Sequence, residues 1–305
     1  MKWKWLAVGL IILVVLAASI YLIVDPETKK LNKTLRTQLG GTYIRLSDGI
    51  THYKLEGPED AKVVVLVHGG TIPIWTWDSQ FRALRDAGFR VLSYDTFGRG
   101  YSDRPDITYD QALYRKQLFE LVEKLGLSEP FDLVGLSVGG GTAINFTAKY
   151  PQRVDKLILI APLINNFKTP SFFGIPVVGE FLARLFGIRV IANRFASLVE
   201  NNPESEKYTR LYLEQTTFEG FQRSILSMLR NDAVGDYSTA YQVVGRQKRD
   251  VLLIWGTEDT EITKQMIGEI RSLMPRLTFQ PVTGVGHGIV FQRPQTVNKL
   301  ILDFL

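Results

Sequence analysis

The sequence predicts an α/β fold: a mostly parallel central sheet with helices on both faces, a helical cap inserted late in the chain, and an N-terminal transmembrane helix. Three observations lead there. Short apolar, β-branched runs alternate with helical patterns along most of the chain, which is the rhythm of a parallel sheet. That rhythm stops between Leu163 and about Arg249, where only helical patterns occur, and then resumes. The start of the chain is almost wholly apolar.

Trp5 to Val24 is a run of 20 residues without a charge, with Ser19 and Tyr21 its only polar groups. At the rise of an α-helix it spans about 30 Å, the thickness of a bilayer's hydrocarbon core. Lys2 and Lys4 precede it, Asp25-Pro26 ends it, and Trp3, Trp5 and Tyr21 suit the two interfaces. A cleavable signal peptide is the competing reading, with Ala17, Ala18 and Ser19 as small residues. Its apolar region is usually only about 7–15 residues long, so an uncleaved anchor is expected over 1–24. Lys2 and Lys4 favour an inside N-terminus and a catalytic domain on the outer side, whereas Lys29, Lys30, Lys33 and Arg36 pull the other way. Residues 25–41 then read as a charged linker, either a solvated tether or a segment resting on anionic headgroups.

Within 305 residues, 45% of them hydrophobic, there is material for one sizeable core. Lys+Arg 36 against Asp+Glu 31 leaves a net charge of +5, spread along the chain without the basic clusters of a nucleic-acid footprint. The chain has no cysteine, so disulfides, thiolate metal sites and a cysteine nucleophile are excluded. Its three histidines are His52, His68 and His287, and no His-x-x-x-His pair suggests a metal site.

In order, Thr42 to Leu46 and Ile50 to Leu55 read as strands joined at Ser47-Asp48-Gly49. Lys62 to Val67 is apolar throughout, as a strand buried on both faces should be, and ends in His68-Gly69-Gly70-Thr71. A helix over Asp78 to Gly88 and a strand over Phe89 to Tyr94 follow, then a tight loop to Ser102. Thr108-Tyr-Asp-Gln111 has the form of a capping box opening a helix to Leu125. Phe131 onward is a strand, Thr142 to Lys149 a helix and Val154 to Ile160 a strand, which completes a first core part over 42–162. The cap spans 163–249 and is strongly apolar from Phe172 to Ile191, where Glu180, Arg184 and Arg189 are the only charges. The second core part, 250–305, holds strands over Asp250 to Trp255 and Thr278 to Val282, a helix over Thr263 to Leu273, and a last helix from Pro294 to Leu305.

The stretch around which the rest is organised is Gly135-Leu136-Ser137-Val138-Gly139, between a strand and a helix. A sharp turn there exposes a serine hydroxyl at the sheet edge, and the flanking glycines let strand and helix approach closely. The Val138 N–H, first of the helix, can meet a developing negative charge. A dinucleotide-phosphate turn is the alternative, but its middle glycine is replaced by Ser137. Two more groups follow apolar strands, Asp259 and His287. An imidazole can take the Ser137 proton and return it to a leaving group, and a carboxylate can hold its other nitrogen.

Serine, acid and histidine in that order, together with His68-Gly69-Gly70, Asp95-x-x-Gly98-x-Gly100-x-Ser102, Trp255-Gly-x-x-Asp259 and Gly286-His287, make the chain resemble the α/β-hydrolase superfamily from about Thr42 to its end. The resemblance implies Ser137 as nucleophile, His287 as base and Asp259 as acid, with Glu258 the neighbouring alternative. It implies an oxyanion hole from the N–H groups of Gly70 and Val138, and structural roles for His68, Asp95 and Ser102. Trp75 and Trp77, bulky for this position, either line an acyl pocket or fill core beneath the cap. The superfamily hosts many reactions, so the fold does not choose the substrate. An apolar cap and a membrane tether point to a serine carboxylesterase or lipase, similar to monoacylglycerol lipase-like enzymes, acting on ester or lipid substrates. The alternatives are a C–C bond hydrolase of a ring-cleavage product and a catalytically silent binding protein. No cofactor or metal is implied, because the chemistry needs only water.

Overall fold

The computed structural model describes residues 25–127, 129–165 and 171–305, with Trp3, Trp5, Leu6, Val8, Gly9, Ile12, Val15 and Ser19 of the N-terminal segment. Among the described residues eight strands form one sheet: β1 (Thr42–Arg45), β2 (Ile50–Glu56), β3 (Val63–Val67), β4 (Arg90–Tyr94), β5 (Phe131–Leu136), β6 (Val154–Ile160), β7 (Val251–Gly256) and β8 (Thr278–Val282). Their order is β1-β2-β4-β3-β5-β6-β7-β8. The β1–β2 and β2–β4 pairs are antiparallel, and every pair from β4–β3 to β7–β8 is parallel.

Every residue of β3, β5 and β7 is buried. The apolar runs are continuous because helices cover both faces. Side chains still alternate: Val63, Val65 and Val67 enter one core with Leu133 and Leu157, while Val64 and Leu66 enter the other with Val134 and Ile158. The register aligns Val67 with Gly135, Gly135 with Leu159, Ile160 with Ile254 and Gly256 with Val282. The carboxyl ends of β3, β5, β7 and β8 therefore share one edge, the place where open α/β sheets hold ligands.

Between β6 and β7 stands a helical insertion: Val178–Leu182, one π turn at Ala183–Gly187, then Ile188–Leu198, Ser205–Gln215, Phe221–Arg230 and Ser238–Gly245. The π turn runs directly into the next helix and widens it where the insertion bends over the sheet edge.

Three local expectations are corrected. The helix predicted from the Thr108 capping box starts at Gln111, and its cap is Asp110, whose carboxylate accepts the Leu113 N–H at 2.7 Å. The helix after Ser137 begins at Val138 and runs through Gly139, Gly140 and Gly141, because close packing against β3 outweighs the low helix propensity of glycine. The expected tether over residues 25–41 instead packs on the protein: it contains a helix, Lys33–Leu39, capped by Asn32, and Arg36 is buried and pairs with Asp103 at 2.5 Å.

Among the described residues no helix is long and apolar enough to cross a membrane. The expected anchor, Trp5–Val24, lies for the most part outside the described residues. Those of it that are described are helical, and Trp5, Leu6, Ile12 and Val15 are exposed.

Candidate active site

Ser137 sits where β5 ends and the helix Val138–Lys149 starts, with φ 54 and ψ −119. This left-handed conformation is unfavourable for a residue with a Cβ, and the surroundings hold it. The Ser137 N–H donates to Ile160 O at 3.0 Å, and the Ser137 carbonyl accepts from Gly140, Gly141 and Leu163. The two flanking glycines are sterically required. A Cβ on Gly135 would stand 2.4 Å from Gly139 O, and one on Gly139 2.2 Å from Val67 O.

Ser137 Oγ lies 3.0 Å from His287 Nε2, and His287 Nδ1 lies 2.8 Å from Asp259 Oδ2. Asp259 is buried, and its other oxygen accepts the N–H groups of Glu261 (2.8 Å) and Ile262 (2.9 Å). The Trp255 indole fastens the same loop by donating to Ile262 O at 2.7 Å. Glu258 is exposed, and the carboxylate bonded to His287 is that of Asp259. A carboxylate so anchored dictates an Nδ1–H tautomer, which leaves the Nε2 lone pair free to accept a proton from the hydroxyl.

The loop after β3 is set by His68. Thr96 N–H donates to His68 Nε2 at 2.9 Å, so that nitrogen carries no proton and Nδ1–H donates to Gly69 O at 2.7 Å. Full burial pushes the His68 pKa down to about 4, which keeps the imidazole neutral. In a trans peptide the N–H points opposite the C=O. Holding Gly69 O therefore aims the Gly70 N–H. Neither the Gly70 nor the Val138 N–H donates to a protein acceptor among the described residues.

Arg99 is fully buried and holds the next carbonyl of this loop. Its Nε donates to Gly70 O, one terminal nitrogen reaches Ser224 Oγ at 2.8 Å, and the other Met228 Sδ at 3.2 Å. Ser224 and Met228 belong to the insertion helix Phe221–Arg230, so one guanidinium joins the β3 loop to the insertion. Asp95 accepts the N–H groups of Ile74 and Tyr101 and a bond from His52, and Ser102 Oγ donates to Asp95 O at 2.6 Å. These groups brace the loop and do not face the serine.

Above Ser137 is a cavity of about 280 Å³ between sheet edge and insertion. Its walls are mostly aliphatic, with Ile191, Leu198, Ile225 and Leu229 from the insertion and Gly70, Val138 and His287 at the floor. Apart from the His287 imidazole, the acidic and basic side chains lining it are Arg194 and Glu261, which pair with each other through two hydrogen bonds. Burial alone raises the Glu261 carboxyl pKa, but the bond from Arg194 and the nearby His287 bring it below the ordinary range. Sequence reading missed both residues, since nothing local marks a pair separated by 67 positions.

Trp77 is fully buried, and Trp75 packs on Phe195, Tyr208 and Phe291. Neither lines the cavity above Ser137.

Residues 62–294 match the family model of the alpha/beta hydrolase fold. The chain is similar to the carboxylesterase YbfK of Bacillus subtilis, 27% identical with 86% of each chain covered. It is also similar to the 2-hydroxymuconate semialdehyde hydrolase of Pseudomonas putida, 26% identical over 79% of this chain and 86% of that one. Among solved structures, a thermophilic esterase from Thermogutta terrifontis superposes with a TM-score of 0.73 at 23% identity, covering 86% of this chain and 97% of the other.

Proposed function

The chain belongs to the alpha/beta hydrolase fold family, and from that premise we propose that it is a membrane-anchored serine hydrolase that cleaves carboxylic esters of apolar acyl groups. The observation that carries the proposal is the hydrogen-bonded line Ser137–His287–Asp259 at the floor of an apolar cavity. In this reading Ser137 Oγ attacks the ester carbonyl carbon as His287 Nε2 takes its proton. The Gly70 and Val138 N–H groups receive the negative charge that forms on the carbonyl oxygen. His287 returns the proton to the departing alcohol, which leaves an acyl-serine. Water, deprotonated by the same nitrogen, then releases the acid. Asp259 keeps the tautomer and offsets the charge of the imidazolium.

The mostly aliphatic walls of the cavity, in which the guanidinium of Arg194 is already paired with Glu261, support an apolar acyl group as the bound part of the substrate. The anchor rests on the 20 uncharged residues of Trp5–Val24, and Lys2 and Lys4 favour a catalytic domain on the outer side.

The test is hydrolysis of p-nitrophenyl esters from acetate to palmitate by the full chain in detergent, beside Ser137→Ala. Turnover that rises with chain length and vanishes in the variant is the expected result. Turnover that persists in Ser137→Ala removes the mechanism, and turnover on acetate alone removes the apolar-acyl preference.

A further inference from the structure

A strap ties the N-terminal segment to the helical insertion. Asp25, the first residue after the apolar run, pairs with Arg184 at 2.7 Å. Glu27 accepts the N–H groups of Gly220 (2.7 Å) and Gln222 (2.6 Å), so its carboxylate caps the insertion helix Phe221–Arg230. Lys29 exchanges backbone bonds with Thr217 and Glu219. The point where Trp5–Val24 ends is thus fixed on the part of the protein that roofs the cavity.

That roof carries an unusual surface. Ile175, Val177, Val178, Phe186 and Val190 are 51%, 78%, 43%, 58% and 62% exposed. Val177 also has a φ of 67, a left-handed conformation disfavoured for a β-branched residue, and its side chain still stands in solvent. Val190 belongs both to this face and to the cavity wall, so the apolar surface continues into the space above Ser137. Soluble surfaces rarely gather so much apolar area unless something covers it. Arg189, the neighbour of Val190, is exposed, as are Lys29 and Lys30 of the strap, which suits anionic headgroups.

We propose that the face formed by Val177, Phe186 and Val190 rests in the headgroup–acyl boundary of the membrane that holds Trp5–Val24, so that apolar esters enter the cavity from the bilayer. This rests on the anchored-hydrolase reading. The strap explains the orientation: three attachments within residues 25–29 leave the end of the membrane segment no slack to let the roof turn away.

Because the chain has no cysteine, single probes can be placed without background. Full-length Val177→Cys, Phe186→Cys and, as control on the core, Lys299→Cys are labelled with bimane and reconstituted into phosphatidylcholine–phosphatidylglycerol vesicles containing acyl-chain nitroxide lipids. Quenching at 177 and 186 but not at 299 is expected. Vesicle flotation with all three probes unquenched overturns the docked roof and leaves the anchor standing. A chain that does not float with the vesicles overturns both. Independently, Phe186→Asp should slow a vesicle-borne long-chain ester about tenfold by weakening interfacial burial while leaving a water-soluble ester unchanged, and equal slowing of both overturns the proposal. An absence of esterase activity in the native chain defeats the hydrolase reading alone, since the probes still report the roof.

Discussion

Arg194, on the insertion, grips Glu261 in a fork, with Nε donating to Oε1 and a terminal nitrogen to Oε2, and the Glu261 carboxylate lies 3.6 Å from His287 Nε2. A carboxylate that close to the nitrogen facing Ser137 competes with the hydroxyl for an imidazolium proton. Arg194 draws its charge away. Arg194→Met leaves the carboxylate uncompensated, which favours the protonated imidazole and withdraws the base. The acid limb of the pH–rate profile should move to higher pH by about one unit, the effect of an opposite charge at this range. Glu261→Gln should move it the other way. An unchanged limb in both variants sinks the idea.

Asp259→Asn keeps the shape of the loop but presents an amide to His287 Nδ1 and permits the wrong tautomer. The expected loss in kcat is about 10⁴-fold. Glu258→Gln, at an exposed position, should stay within about twofold by the ordinary tolerance of surface sites. Steady-state kinetics on one ester decides the matter, and equal losses in the two variants would leave the acid unassigned.

His68 makes folding sensitive to acid. Its folded pKa, about 4, lies below the ordinary 6.5. Between those values the unfolded chain binds the proton and the folded chain does not, so stability falls as pH drops through that window. The share from this residue is on the order of 3 kcal/mol. Thermal melts of Ser137→Ala from pH 7 to 4 should show the decline. His68→Asn, which does not titrate, should start less stable and decline less, and parallel slopes would remove His68 from the account.

Two glycines offer opposite outcomes for one added methyl. Gly139→Ala drives a Cβ to 2.2 Å from Val67 O and 2.3 Å from His68 O, so the soluble folded yield should collapse. Gly268, inside the helix Lys264–Leu273, meets nothing within 4 Å, and Gly268→Ala should stabilise by about 0.5–1 kcal/mol through helix propensity. Denaturant melts read the second, and a destabilised Gly268→Ala would contradict it.

The sheet was legible because its central strands are buried on both faces, and Val63–Val67 or Val251–Trp255 has no amphipathic alternative. The candidate site was legible as far as it follows strand ends: of Ser137, Asp259 and His287, chosen by that rule, the first two stand within hydrogen-bond distance of opposite nitrogens of the third. What stayed hidden depends on contacts made across the fold. Arg194 and Glu261 carry no local signal, and the place of Trp75 is decided by rings on two later helices. The charged segment after Val24 looked like a tether because Glu27 and Arg36 reveal their partners, Gly220 and Asp103, only once folded.

The buried guanidinium of Arg99 touches Gly70 O on one side and Ser224 and Met228 on the other. The helix bearing those two residues also supplies Ile225 and Leu229 to the cavity wall. A lineage that remodels this wall to accept a different acyl chain therefore disturbs the peptide next to the Gly70 N–H at the same time. Selectivity and turnover become epistatic, and substitutions that broaden the substrate range should need a companion change near Arg99 before speed is recovered.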